Sequence, residues 1–274
     1  MPNRRYLDFK TVKASVSILE VLDRYGLTGR FKRTGDSLSG ACPLHNGDNR
    51  TQFRVSASKS EPVGNNAAEA GLNKPLGFQL QNLESAHPYL TERELAPETI
   101  GEFGLGFCAS GSMNGRVVIP IHNPEGQLLA YAGRWPGAPP EDTPKYKLPA
   151  GFKKSLELFN LHRAIQAPPE QPLVIVEGYF DCIKLWQLGL RRVGALMGSI
   201  LSPTQEGLIR KHTNSRSCVL VMLDEDDTGR AGRDEVARRL ARFVFVKTHV
   251  FDAEGRQPEN LNSEEVAALC GGVE

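Results

Sequence analysis

No run of about 18 or more apolar residues occurs in this 274-residue chain, so the sequence offers no candidate for a membrane-spanning helix. The opening stretch, Met1 to Lys13, is polar and charged, unlike the apolar centre of a signal peptide, and the expected location is cytoplasmic. Cysteine is sparse. Cys42, Cys108, Cys182, Cys218 and Cys270 are odd in number and widely scattered, which argues against a disulfide framework and for reduced thiols. Charge of one sign is lacking too: 33 Lys and Arg stand against 32 Asp and Glu, a formal net charge of +1. Any attraction to a polyanion must therefore come from local patches. No Gly-x-x-x-x-Gly-Lys-Ser/Thr loop is present, which removes a P-loop motor from the chain itself. There is no internal repeat and no low-complexity tract.

What is there suits a packed globular protein of one large or two ordinary domains, with 40% hydrophobic and 24% charged residues. Residues 11–27 carry Val12, Val16, Ile18, Leu19 and Leu22 at helical spacing, with Gly26 placed to end the helix. Basic residues surround it. Short strands and turns are expected over 37–55, and the small, polar, Gly/Asn-rich stretch 57–74 reads as a linker. A helix is expected within 88–103, with Pro97, Glu98 and Thr99 as a first turn. Asn123-Pro124-Glu125-Gly126 between the apolar runs 117–121 and 128–132 predicts a β-hairpin, and 136–144 a loop.

The last third changes style. Apolar runs at 173–176, 193–197, 218–223 and 245–250 alternate with helical segments at 180–188, 203–212 and 229–242. That alternation predicts a parallel sheet covered on both faces, with ligands beyond the carboxyl ends of its strands. Two of those ends are acidic: Val174-Ile175-Val176 runs into Glu177-Gly178, and Val221-Met222-Leu223 into Asp224-Glu225-Asp226-Asp227. Carboxylates gathered at one edge repel one another unless a cation lies between them. Mg²⁺, or Mn²⁺, suits such a place, because it takes oxygen ligands, keeps much of its water and bridges to phosphate. Each acidic residue alone also fits a helix cap, the reading that suits Asp181, Asp227 and Asp234.

Three segments in order, Val-Ile-Val-Glu-Gly-Tyr-Phe-Asp at 174–181, Ala-Leu-Met-Gly-Ser at 195–199 and Leu-Asp-Glu-Asp-Asp-Thr-Gly-Arg-Ala-Gly at 223–232, resemble the successive motifs of the Toprim domain. That domain is shared by bacterial-type primases, type IA and type II topoisomerases and some nucleases. The resemblance covers roughly residues 171–262 and implies that Glu177, Asp224 and Asp226 are catalytic carboxylates that hold Mg²⁺. Upstream, Asn114-Gly115-Arg116-Val117-Val118-Ile119-Pro120-Ile121, Gly126, Gly133-Arg134 and Pro144-Lys145-Tyr146-Lys147-Leu148 are similar to the first part of the bacterial primase core. By that resemblance Arg116, Arg134, Lys145 and Lys147 form a basic ridge that handles template and nucleotide, as cations must where phosphates are bound. For Lys153 and Lys154 a solvated surface suffices.

Gly35 to His45, followed by Phe53-Arg54-Val55, resembles the first half of a primase zinc ribbon, with Cys42 and His45 at Cys-x-x-His spacing. The second half is missing, since residues 56–107 contain no cysteine. A structural zinc needs four ligands, so Cys42 and His45 are half a site and no zinc is expected. The implied fold is α/β: a Toprim parallel sheet with flanking helices, preceded by a smaller α+β primase-core subdomain. The implied divisions are a degenerate ribbon at 1–56, a linker at 57–75, the core's first subdomain at 76–165 and the Toprim domain at 166–274. Primer synthesis on single-stranded DNA from ribonucleoside triphosphates is the leading function. A Toprim nuclease and a non-catalytic DNA-binding accessory protein are the alternatives, and any helicase partner is a separate protein. No tyrosine can be assigned as a strand-cleaving nucleophile, which disfavours a topoisomerase.

Overall fold

A computed structural model describes residues 18–35, 37–40, 53–56, 72–214 and 216–270. The chain divides into two compact units, Met1–Leu72 and Asn73–Glu274. In the first, helix α1 (Ile18–Arg24) gives way at Gly26, whose positive φ of 64° suits glycine and whose N–H closes on the Asp23 carbonyl. Strands β1 (Lys32–Thr34), β2 (Ser37–Gly40) and β3 (Phe53–Ser56) form an antiparallel sheet in that order. Leu22 and Leu38 are buried, with Leu19, Leu27 and Phe31 packed around them. Cys42, His45, the first part of the expected helix and most of the expected linker lie outside the described residues.

The second unit opens on two short helices, α2 (Pro88–Glu92) and α3 (Pro97–Phe103); α3 is the helix expected to start at Pro97, and α2 is additional to it. Glu94 adopts a φ of 53°, and Pro97 holds Ala96 in extended backbone, so the helix cannot run through. An antiparallel sheet follows, ordered β4 (Gly106–Cys108), β5 (Arg116–His122), β6 (Leu128–Arg134) and β7 (Tyr146–Lys147). Its centre is the expected hairpin, with Val117 paired to Arg134 and Ile121 to Ala130.

Helix α4 (Leu161–Ala164) leads into the parallel sheet: β8 (Leu173–Val176), α5 (Tyr179–Gln187), β9 (Val193–Ala195), α6 (Pro203–Lys211), β10 (Cys218–Val221), α7 (Asp227–Leu240) and β11 (Phe245–Thr248). The strand order is β11-β10-β8-β9. A 3-10 turn (Pro258–Asn260) and helix α8 (Ser263–Cys270) close the unit. Strand alternation divides β8 between two cores. Val174 and Val176 pack with the antiparallel sheet's Val117, Ile119 and Ile121, while Leu173 and Ile175 pack with Ile209, Val236 and Leu240 of the helices. Each of these buried side chains contributes about 1.5–3 kcal/mol, which fixes the height at which β8 delivers its last residue. The sheet is covered on both faces except at β11, an edge strand on which Phe245 is 61% exposed.

Candidate metal centre

Buried on both faces, β8 ends at Glu177 and Gly178. The Gly178 N–H donates to Asp181 Oδ2 at 3.1 Å, and a Cβ at position 178 would lie 2.5 Å from that oxygen, so any larger residue would have to displace the Asp181 carboxylate. The Glu177 carbonyl accepts from the Gly198 N–H at 3.2 Å, which ties the first acidic loop to the turn after β9. On the neighbouring strand the chain passes through buried Met222 and Leu223 to Asp224. Asp226 caps α7, its Oδ1 accepting from the Gly229 N–H at 2.7 Å. A Cβ on Gly229 would stand 2.1 Å from the Asp224 carbonyl oxygen, so glycine alone lets the helix start press on the acidic loop.

The capping reading thus accounts for one contact of Asp226 and none of Asp224. Glu225, between them, turns away to Arg233 at 2.7 Å and to the Phe251 N–H at 3.2 Å, a buried structural role. Asp224 Oδ2 accepts from Gln257 Nε2 at 2.9 Å, while its Oδ1 is buried without a hydrogen-bond partner. Burial, then Glu177 and then Asp226 push the Asp224 carboxyl up to about 7. Glu177 is raised by the same causes, burial first, then Asp226 and Asp181. Asp181 is more than a cap. Buried beside Asp224 and Glu259, it is pushed up to about 7 although it accepts from the backbone N–H groups of Gly178 and Glu259.

The three carboxylates named from the sequence therefore belong to one electrostatic cluster, joined by Asp181 and Glu259. Among the described residues, no three His, Cys, Asp or Glu side chains converge closely enough to cage a metal ion as they stand. The donor set instead fits Mg²⁺ held by one or two carboxylate oxygens and its own water, with the unpartnered Asp224 Oδ1 as the clearest candidate ligand.

The basic residues divide. Lys145 belongs to the same electrostatic group: partial burial, then Arg134 and Arg93, lower its pKa, against a smaller raising influence of Glu259 and Asp224. Arg134 is buried, donates through Nε to the Tyr89 hydroxyl at 2.9 Å and lies over the Tyr146 ring at 5.1 Å. Its Nη1 is buried with no partner. Arg116, expected to present its charge to phosphate, is instead buried at 4% exposure. Its guanidinium donates to the carbonyls of Gly133 at 3.0 Å and Pro144 at 2.9 Å and lies over Trp135. The cause is its place at the start of β5, where the side chain crosses β6 and fastens the loop that carries Lys145. Lys147 is exposed and donates to the Ser112 carbonyl at 2.6 Å.

Three participants had no signal strong enough to single them out. Arg93, in the break between α2 and α3, pairs with Glu259, donates through Nε to the Tyr89 hydroxyl at 2.8 Å and lies over the Phe180 ring at 4.3 Å. Glu259 reaches the site from beyond the sheet. Lys154, read as solvated, donates to the Met197 carbonyl at 2.7 Å and lowers the pKa of Glu177.

A Toprim-like family profile matches residues 174–259. The DNA primase of Aquifex aeolicus is 33% identical over 153 residues, 54% of this chain and 30% of that protein. The DNA primase of Escherichia coli K12 is 29% identical over 245 residues, 71% of this chain and 40% of that protein. The chain thus spans well under half the length of either relative. Among solved structures, the zinc-binding and RNA polymerase domains of Aquifex aeolicus primase share the fold, with a TM-score of 0.59 at 23% identity over 95% of this chain and 83% of that one. A DnaG primase catalytic domain bound to ssDNA gives 0.56 at 26% identity over 68% of this chain and 69% of that one. The chain thus carries a Toprim-like domain at 174–259 and is similar to bacterial DNA primases.

Proposed function

We propose that the protein is a primase-type nucleotidyltransferase that makes short RNA on single-stranded DNA. The observation that carries this reading is the grouping of cations with carboxylates: Lys145 lies within electrostatic reach of Arg134, Arg93, Glu259 and Asp224, and Arg93 pairs with Glu259. A polyphosphate bound there meets both cations and metal-holding carboxylates. Glu177, Asp224 and Asp226 would hold Mg²⁺, which when bound neutralises charge on the transferring phosphate. Lys145, which is exposed, then binds phosphate oxygens, the buried Arg134 adds positive charge within its electrostatic reach, and Arg116 positions the loop that carries Lys145. In the reaction, a ribose 3′-hydroxyl oxygen bonds to the α-phosphorus of a nucleoside triphosphate as its O–H bond breaks and the proton passes to solvent, the α–β phosphoanhydride bond breaks, and pyrophosphate leaves.

The test is primer synthesis from single-stranded DNA, ribonucleoside triphosphates and Mg²⁺ beside a cleavage assay on the same DNA. Labelled RNA lost on Asp224→Asn supports the proposal. DNA fragments without RNA would make the protein a Toprim nuclease, and DNA binding without either product an accessory protein.

A further inference from the structure

The segment 255–260 grips both acidic loops. The Gly255 N–H donates to the Glu225 carbonyl at 2.7 Å, the Glu225 N–H donates to the Arg256 carbonyl at 3.1 Å, and the Glu259 N–H donates to Asp181 at 3.1 Å. Gln257 stands at the centre of this grip. Its backbone N–H is held by Asn260 Oδ1 at 2.8 Å, which starts the 3-10 turn and fixes the direction of the side chain. The side-chain amide then donates to Asp224 Oδ2 at 2.9 Å. One carboxylate oxygen is thereby occupied by an N–H, while Oδ1, buried and without a partner, is left for another ligand.

We infer that Gln257 is a positioning residue that makes Asp224 a one-oxygen metal ligand and so biases the site toward Mg²⁺ and Mn²⁺ over Ca²⁺; this rests on the metal-site reading above. The chemistry follows from the two ions' demands. Mg²⁺ takes near-octahedral geometry with single oxygens at short distance, whereas Ca²⁺ accepts both oxygens of one carboxylate at longer distance. An amide N–H on Oδ2 takes one of that oxygen's two lone pairs, which disfavours the second mode and orients the first. Partners of this kind typically change metal affinity 10–100-fold when removed. The residue needs no contact with the metal to do this.

The experiment measures Mn²⁺ and Ca²⁺ affinity calorimetrically for the wild type, Gln257→Met and Gln257→Ala, with melting in chelator alongside. Methionine keeps the length without the donor, and alanine is too small to clash, so one of the two reports even if the other fails to fold. The expected result is roughly a tenfold or greater loss of Mn²⁺ affinity, a smaller loss for Ca²⁺, and so a reduced Mn²⁺ preference at little cost in chelator melting temperature. A merely structural role would lower melting and leave the preference unchanged. Mn²⁺ affinity within twofold of wild type, or equal losses for both ions, would overturn the inference. A wild type that binds neither ion would sink the metal site itself, a distinguishable outcome.

Discussion

Asp224→Asn should stabilise the metal-free protein and abolish its response to metal. The Asp224 carboxyl is pushed from an ordinary 3.8 up to about 7 by burial, Glu177 and Asp226. A folded carboxyl with a raised pKa binds protons that the unfolded chain has already lost, so its stability cost grows as pH rises from about 4 to about 7 and then stays constant. About three pKa units at about 1.4 kcal/mol each give a ceiling near 4 kcal/mol, and partial contact with solvent reduces this to about 2 kcal/mol. Asparagine keeps the size and the acceptor for Gln257 but removes the charge. At pH 8 in chelator the variant should therefore melt about 4–8 °C higher than wild type, with the gap narrowing below pH 7 and closing near pH 4. Added Mg²⁺ should reverse the order, since an ion at about 100 times its dissociation constant stabilises the wild type by about 2.7 kcal/mol and leaves the variant unmoved. Scanning fluorimetry across pH and Mg²⁺ reads both effects. Equal stabilisation of the two proteins by Mg²⁺ would refute the site, and a variant that melts lower in chelator would refute the repulsion.

Some of this was legible in the sequence because period and order carry it. The runs 173–176 and 218–223 are apolar at every position, as strands buried on both faces must be, and each stops at an acid. That pattern alone puts Glu177, Asp224 and Asp226 at one edge of the sheet. The start of α3 was legible at Pro97, whereas α2, only five residues long, is too short to show a helical period. The basic ridge was legible only as composition. Arg116 and Arg134 look alike beside their strands, yet where each points depends on cross-strand register: Val117 opposes Arg134, and Arg116 is drawn across β6 to backbone carbonyls. Gln257, Glu259 and Arg93 come from loops far away in sequence, and no local spacing links a glutamine at 257 to an aspartate at 224. Long-range polar contacts made by irregular segments are where reading by period runs out.

The remaining predictions separate structural from functional groups. Lys145→Met should weaken single-stranded DNA binding and reduce the slope of log K against log salt by about 1, whereas Arg116→Ala should chiefly lower the melting temperature, because it strands the buried Gly133 carbonyl at about 1–3 kcal/mol, with any loss of DNA binding following from the displaced Lys145 loop. The opposite pattern would exchange their roles. Metal analysis of purified protein should find well under one zinc per chain, because Cys42 and His45 alone have ligand spacing; a stoichiometric, chelator-resistant zinc would contradict this. Gly229→Ala sets two effects against each other. Replacing glycine by alanine in a helix ordinarily gains about 1 kcal/mol. Here the new methyl would fall 2.1 Å from the Asp224 carbonyl oxygen, 2.9 Å from its carbon and 3.1 Å from its nitrogen, all backbone atoms that cannot swing aside. Relieving such a clash costs about 1–3 kcal/mol and must move either the start of α7, with its Asp226 cap, or the Asp224 loop. The variant should therefore melt lower than wild type and bind Mn²⁺ more weakly, although it touches no carboxylate. A Gly229→Ala protein at least as stable as wild type with unchanged Mn²⁺ affinity would mean that the helix start and the acidic loop do not press together, and the close approach that brings Asp224 and Asp226 into one site would have to be abandoned.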